Sequence, residues 1–239
     1  MHMNTLENRT IALFGAGSGI GVALARLLER DGARLVATGR DATPPESLPS
    51  SAEWHRWEVG GELPKLPESL HGLVYCPGTI TLKPFKSLKE DDFLDDFRVN
   101  LMGAVQALRG ALKALQQAQG SSVVLFSSVA VQTGMNYHAS IAAAKGAVEG
   151  LTRSLAAEFA SDRIRVNAVA PSLTDTPLAA RLLSDDKRRE ASAQRHPLGR
   201  IGAPEDIAAA ARYLLTLESG WMTGQILALD GGISALRPL

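Results

Sequence analysis

At 239 residues the chain is long enough for one large α/β domain with a buried core, and its 25 basic and 25 acidic residues cancel. The charges are interspersed, which argues against a nucleic-acid partner or an anionic membrane. No apolar stretch is long enough to span a bilayer, and the N-terminus lacks the apolar core of a signal peptide, so a cytoplasmic location is the default expectation. Cys76 is the only cysteine and the histidines show no metal-ligand spacing, so neither an intrachain disulfide nor a metal site is expected.

Residues 1–8 read as an N-terminal tail. Thr10 to Phe14 is a short apolar run, β-branched at its start, and predicts a strand. Gly15-Ala16-Gly17-Ser18-Gly19-Ile20-Gly21 follows, then a helical run to Leu28 that stops at Asp31-Gly32. A second apolar run spans Arg34 to Thr38. Strand, glycine turn, helix, strand is one βαβ unit. Glycines serve two purposes in such a turn. The backbone must reverse sharply, and it must come close enough for its amides and the helix N-terminus to hold a pyrophosphate. Gly15, Ser18, Gly19, Ile20 and Gly21 are therefore the candidate pyrophosphate cradle.

The second strand ends Ala37-Thr38-Gly39-Arg40-Asp41. An acid at this strand end would hold a free ribose 2′-hydroxyl, whereas an arginine accommodates a 2′-phosphate. Gly39 occupies the acidic position and Arg40 follows it, so NADP(H) is favoured over NAD(H). Asp41 could pair with Arg40 or serve the ribose itself.

The rest of the chain continues the alternation. Thr43 to Ser51 is a surface loop, and Pro64 and Pro67 mark another. Leu73 to Tyr75 predicts a short strand. Asp91 to Leu115 carries helical patterning, with Phe93, Phe97, Leu101 and Val105 at four-residue steps. Ser122 to Phe126 predicts a strand ending at Ser127-Ser128. Ile141 to Phe159 predicts a helix with Val148, Leu151, Leu155 and Phe159 on one stripe. Arg163 to Val169 predicts a strand running to Pro171, Leu178 to His196 is a charged segment that resembles the mobile lid helices that close over substrate, and Ile226 to Leu229 predicts the last strand. The expected architecture is a single-domain, Rossmann-type, doubly wound parallel α/β sheet. Ligands of such sheets bind beyond the carboxyl ends of the strands, where Gly78, Ser128 and Pro171 should converge.

Taken in order, these pieces resemble the short-chain dehydrogenase/reductase family over nearly the whole chain. Gly15, Gly19 and Gly21 match its G-x-x-x-G-x-G spacing; Val99-Asn100, Ser127-Ser128, Arg165-Val166-Asn167, Ala170-Pro171, His196-Pro197-Leu198-Gly199-Arg200, Pro204-Glu205-Asp206, Thr223-Gly224-Gln225 and Asp230-Gly231-Gly232 follow. The resemblance implies that Glu58 and Val59 flank the adenine and that Ser128 hydrogen-bonds the substrate oxygen. It also implies that Lys145 binds the nicotinamide ribose and that Asn100 holds a water linked to that lysine. Gly78, Pro171, Thr174 and Thr176 belong by the same likeness to the cofactor cleft. It implies a homotetramer or homodimer and a small-molecule carbonyl or alcohol substrate.

The chain departs from that pattern at one decisive place. The family's tyrosine would stand four residues before Lys145, one helical turn away, and that position is Ile141. An aliphatic side chain has no proton to give. His138, three residues earlier, is a candidate donor because an imidazole titrates near neutrality; Tyr137 is a weaker candidate, and Ser140 reads as a cap or surface hydroxyl. Phe14 stands where the family has Thr, Tyr75-Cys76-Pro77-Gly78 where it has Asn-Asn-Ala-Gly, and Ser172 where it has Gly. Three readings follow: an NADP(H)-dependent oxidoreductase with a non-standard proton donor, a non-catalytic NADP(H)-binding sensor or scaffold, and an isomerase or lyase on the same scaffold.

Overall fold

A reversal in strand order after the first three strands sets the architecture. The computed structural model describes residues 6–237. Its elements are β1 (Thr10–Phe14), α1 (Gly19–Arg30), β2 (Arg34–Gly39), β3 (Glu53–Arg56), β4 (Gly72–Tyr75), α2 (Glu90–Phe97), α3 (Gly103–Gln117), β5 (Ser122–Phe126), the single turn α4 (Ala130–Thr133), α5 (Ala139–Glu158), β6 (Arg165–Pro171), α6 (Asp186–Gln194), α7 (Pro204–Leu215) and β7 (Ile226–Leu229). The strands form one seven-stranded sheet in the order β3-β2-β1-β4-β5-β6-β7, with every neighbouring pair parallel. The order turns back between β1 and β4, which places the crevice above their carboxyl ends.

Both faces of the sheet are covered, as near-continuous apolar strands require. Leu13, Val74, Val124 and Val169 pack under α1 and α7, with Leu24, Leu28 and Leu214 from those helices. Ala12, Leu73, Leu125 and Ala168 face α3 and α5, meeting Ala107, Leu115 and Val148.

The structure corrects four local expectations. Leu6 is fully buried and its N–H donates to the Asp31 carbonyl at 3.1 Å, so the tail does not extend to residue 8; residues 1–5 lie outside the described residues. The Asp91–Leu115 run is not one helix, because a π-turn over Arg98–Met102 separates α2 from α3. Its cause is visible: the Asn100 side-chain amide donates to the Asp96 carbonyl at 2.8 Å, inserting into the backbone ladder. The stripe at Phe93, Phe97, Leu101 and Val105 is only half-buried, and the face turned inward is Asp96, Asn100, Gly103, Ala104 and Ala107. Finally, β3 has no counterpart in the sequence reading, since Glu-Trp-His-Arg at the sheet edge carries no apolar pattern.

Candidate active site

The glycine turn is closed on the protein side and open on the other. Gly15 has φ +87°, and a Cβ there would lie 2.9 Å from Pro77 Cδ. A Cβ on Gly21 would lie 2.1 Å from the Gly15 carbonyl oxygen, so only glycine lets α1 start this close to β1. At Gly17, by contrast, nothing lies within 4 Å of a Cβ. Ser18 is the N-cap residue of α1 but its side chain makes no capping bond, which leaves first-turn amides to an external anion. A cleft of about 320 Å³ opens here between Gly17, Ser18, Gly19, Ser47 and Pro177. These residues fit the pyrophosphate of a dinucleotide.

At the adenosine end, Gly39 is buried beneath the Trp54 ring, and Arg40 is exposed beside it. Trp54 Nε1 donates to the Asp41 carbonyl at 3.3 Å. Glu58 is exposed and Val59 half-buried against the core. Phe14 and Tyr75, two of the departures from the family pattern, compensate for each other. Phe14 meets Trp57 edge-on at 5.0 Å and Tyr75 at 6.5 Å, so an aromatic trio joins β1 and β4 where polar side chains would have done so. Tyr75 Oη donates to the Val99 carbonyl at 2.5 Å, at the π-turn, and burial pushes its phenol up beyond the ordinary range. The Thr38 hydroxyl and Trp57 Nε1 are buried without a partner on this side of the site.

At the carboxyl ends of β4, β5 and β6 the structure brings Gly78, Asn100 and Lys145 together and holds Ser128 and Pro171 at one level. Val129 N–H donates to the Pro171 carbonyl at 3.2 Å, which fixes Ser128 and Pro171 at one level. Ser128 is half-buried and its Oγ accepts from Ala130 N–H at 3.2 Å. Lys145 is 8% exposed and its Nζ donates to the Phe126 carbonyl at 2.8 Å. A Cβ on Gly78 would lie 3.1 Å from Asn100 Oδ1 and 3.5 Å from Lys145 Nζ, so all three residues meet. Burial draws the Lys145 ammonium down to about 8, partly opposed by Cys76 and Asp96.

A family description, Enoyl-(Acyl carrier protein) reductase, matches residues 61–234. The chain is 34% identical to 2-(S)-hydroxypropyl-CoM dehydrogenase 3 of Xanthobacter autotrophicus, over 98% of this chain and 99% of that one. The chain belongs to the short-chain dehydrogenase/reductase family. A second relative from the same organism, 32% identical over 89% of this chain and all of its own length, is named inactive 2-(S)-hydroxypropyl-CoM dehydrogenase 2. Among solved structures, one described as an NAD(P)-dependent gluconate 5-dehydrogenase from Beutenbergia cavernae, with NADP bound at low occupancy, superposes with a TM-score of 0.89. It is 31% identical, and the match covers 98% of this chain and 99% of that one.

This short-chain dehydrogenase/reductase thus carries an oxidoreductase scaffold of the NAD(P)-binding Rossmann type. Ile141, where the sequence reading places the tyrosine, is 6% exposed and adds only aliphatic surface to the site. His138 is the N-cap residue of α5 and half-buried; its Nδ1 lies 2.8 Å from the Asn136 carbonyl, which can only accept, so Nδ1 carries the proton. Tyr137, the weaker candidate, precedes α5 with φ +70°, outside the helix that carries Ile141, and is 59% exposed. Ser140 is neither cap nor surface hydroxyl but fully buried, donating to Asp96 Oδ2 at 2.6 Å. Thr174 is buried with its hydroxyl donated to the Ser172 carbonyl at 3.0 Å, and Thr176 accepts from Ala179 N–H at 3.4 Å.

The sequence reading missed Asp96. It is fully buried and accepts from the hydroxyls of Thr79 at 2.5 Å, Thr81 at 2.9 Å and Ser140 at 2.6 Å. Asn100 joins the same network, donating to the Thr79 hydroxyl at 2.7 Å. The available signal was its place four residues before Asn100, on the same helical face.

Among the described residues no helix is long and apolar enough to cross a membrane, and no group of three or more metal-ligating side chains occurs.

Proposed function

We propose that the protein is an NADP(H)-dependent oxidoreductase that interconverts a carbonyl and an alcohol of a small molecule, with a proton donor other than residue 141. The observation that carries this reading is the meeting of Lys145 Nζ and Asn100 Oδ1 at Gly78, with Ile141 in place of the acid. When bound, the nicotinamide supplies or accepts the hydride. Ser128 polarises the substrate oxygen, and Lys145 anchors the nicotinamide ribose. His138 stands at the N-cap of α5, three residues before Ile141, and either its imidazole or a water delivers the proton. Arg40, free of a neighbouring acid at position 39, supports the 2′-phosphate; the bound NADP in the Beutenbergia relative supports the same preference. Thr174 and Thr176 contribute to the cleft through their backbone, given where their hydroxyls are spent.

Residues 178–196 form the lid: a short 3-10 turn over Pro177–Leu182, then α6. The assembly is a homotetramer or homodimer. It is supported by exposed Leu94 and Met102 next to the half-buried stripe of α2 and α3, and by Gly150 on α5, where nothing lies within 4 Å of a Cβ.

The test is NADPH oxidation over ketones, aldehydes and quinones by the natural chain, His138→Ala and Ile141→Tyr. Turnover by the natural chain, lost in His138→Ala, establishes the enzyme and its donor. The second reading, a cofactor-binding protein without turnover, draws on Ile141 and on the relative named inactive. It predicts NADPH binding by fluorescence titration with oxidation only in Ile141→Tyr.

A further inference from the structure

A second serine stands at the cleft, one strand over from Ser128. Ser172 directly follows Pro171, the last residue of β6, and its N–H donates to the Leu229 carbonyl at 3.1 Å. The bond between Val129 N–H and the Pro171 carbonyl sets it level with the end of β5, so both serines stand at adjacent carboxyl ends, where ligands of such sheets bind.

What distinguishes Ser172 is its partner. Its Oγ lies 2.8 Å from Nε2 of His196, a ring only 3% exposed at the end of the lid segment. The other ring nitrogen, Nδ1, lies 2.8 Å from the Ser192 carbonyl. A carbonyl only accepts, so Nδ1 carries a proton, and in the singly protonated tautomer this bond selects, the lone pair is on Nε2. That lone pair takes the Ser172 proton. The serine is the solvent-facing member of the pair, half-buried where the histidine is enclosed. The hydroxyl then has two lone pairs left to offer a ligand and no proton.

We infer that Ser172, oriented by His196, is a substrate-binding residue that accepts a hydrogen bond, and that the substrate carries a hydroxyl close to its reacting carbon. Ser128, which polarises a carbonyl, must present a proton to the cleft; Ser172 presents the opposite polarity. A hydroxy-ketone or a vicinal diol satisfies both serines, whereas a simple ketone leaves Ser172 without its donor, which disfavours it. This assignment rests on the oxidoreductase reading of the cleft. The same acceptor could instead be met by the nicotinamide carboxamide N–H, a donor on the cofactor.

The experiment compares cyclohexanone with 2-hydroxycyclohexanone. Full-length wild type, Ser172→Ala and Ser172→Gly are measured in two ways: kcat/KM with NADPH, and ketone dissociation constants by fluorescence titration of the NADP⁺-loaded protein. The expected result is a preference of about tenfold for the hydroxy-ketone in wild type, the size of one hydrogen bond, collapsing to within about twofold in both variants with NADP⁺ affinity retained. A preference that survives both substitutions overturns the assignment. A drop in NADP⁺ affinity with the ketone preference intact also overturns it, and gives the serine to the carboxamide. If neither ketone is turned over, the oxidoreductase reading fails for these substrates, and the ratio of the two dissociation constants decides the inference by itself.

Discussion

Trp54 lies over Gly39 so closely that a Cβ on residue 39 would come within 2.3 Å of its ring Cη2. The space in which an acidic side chain would meet an adenosine ribose is filled by indole. Gly39 is therefore more than a missing acid: its smallness is what lets β3 close against β2 at this end.

The coenzyme site should then resist the simplest conversion. Gly39→Asp alone should destabilise the fold by about 1–3 kcal/mol, through overpacking against Trp54, without producing NAD(H) preference. Gly39→Asp with Trp54→Val should shift preference toward NAD(H). Arg40→Ala should weaken NADP(H) at least tenfold and leave NAD(H) almost unchanged. Dissociation constants for both coenzymes, with urea midpoints, check all three.

Ile141→Tyr should raise ketone turnover by about 10² to 10⁴, the usual contribution of a general acid. Because Ile141 is 6% exposed, the larger ring should also lower stability by about 1–3 kcal/mol. A matched rise in kcat and fall in melting temperature is the expected pair of readouts.

Lys145 makes stability depend on pH in a defined window. Its folded value is about 8 against 10.5 for the ordinary group, so burial disfavours its charge. Below about 8 the lysine is charged in both states and the cost is fully present. Between 8 and 10.5 the folded protein releases this proton first, and stability rises with pH. Lys145→Met should accordingly stabilise the protein at pH 7 by about 1–3 kcal/mol, less the bond to Phe126, with the gain fading by about pH 10. Denaturant midpoints at pH 7 and pH 10 check the sign, while cofactor affinity falls at both.

Asp96→Val should cost about 3–5 kcal/mol, because it strips the acceptor from three buried or half-buried hydroxyls at once. Asp96→Val combined with Ser140→Ala and Thr79→Val should recover a large part of that loss, since matched removal of both partners approaches neutrality. Thermal unfolding of the single and triple variants gives the comparison.

The parts of the fold that announce themselves in the sequence are those with a period or a steric necessity. Thr10–Phe14 and Ser122–Phe126 fall on observed strands because apolar β-branched runs of that length have no better place than a buried sheet, and the apolar Ile226–Leu229 forms its half-buried edge. Gly15 and Gly21 are legible because any side chain there collides with Pro77 or with the backbone of Gly15. What stays hidden depends on long-range partners. Asp96 sits among Asp91, Asp92 and Asp95 and looks like one more solvated acid; only the hydroxyls of Thr79, Thr81 and Ser140 make it an interior residue. The π-turn is invisible to a 3.6-residue pattern because one side chain, Asn100, creates it. His196 and Ser172 are 24 residues apart and acquire their relation only when the chain after α6 returns to β6.

The three tryptophans divide the molecule unequally. Trp57 is 5% exposed in the aromatic trio, Trp54 is half-buried over Gly39, and Trp221 is wholly exposed at the opposite end of the sheet, shortly before β7. Two of three intrinsic fluorophores therefore flank the adenosine end, and the third emits from water whatever happens there. Trp221→Phe should strip away that constant red-shifted background and leave a protein whose own emission reports nucleotide occupancy, with Trp54 reading the ribose and Trp57 the sheet beneath it.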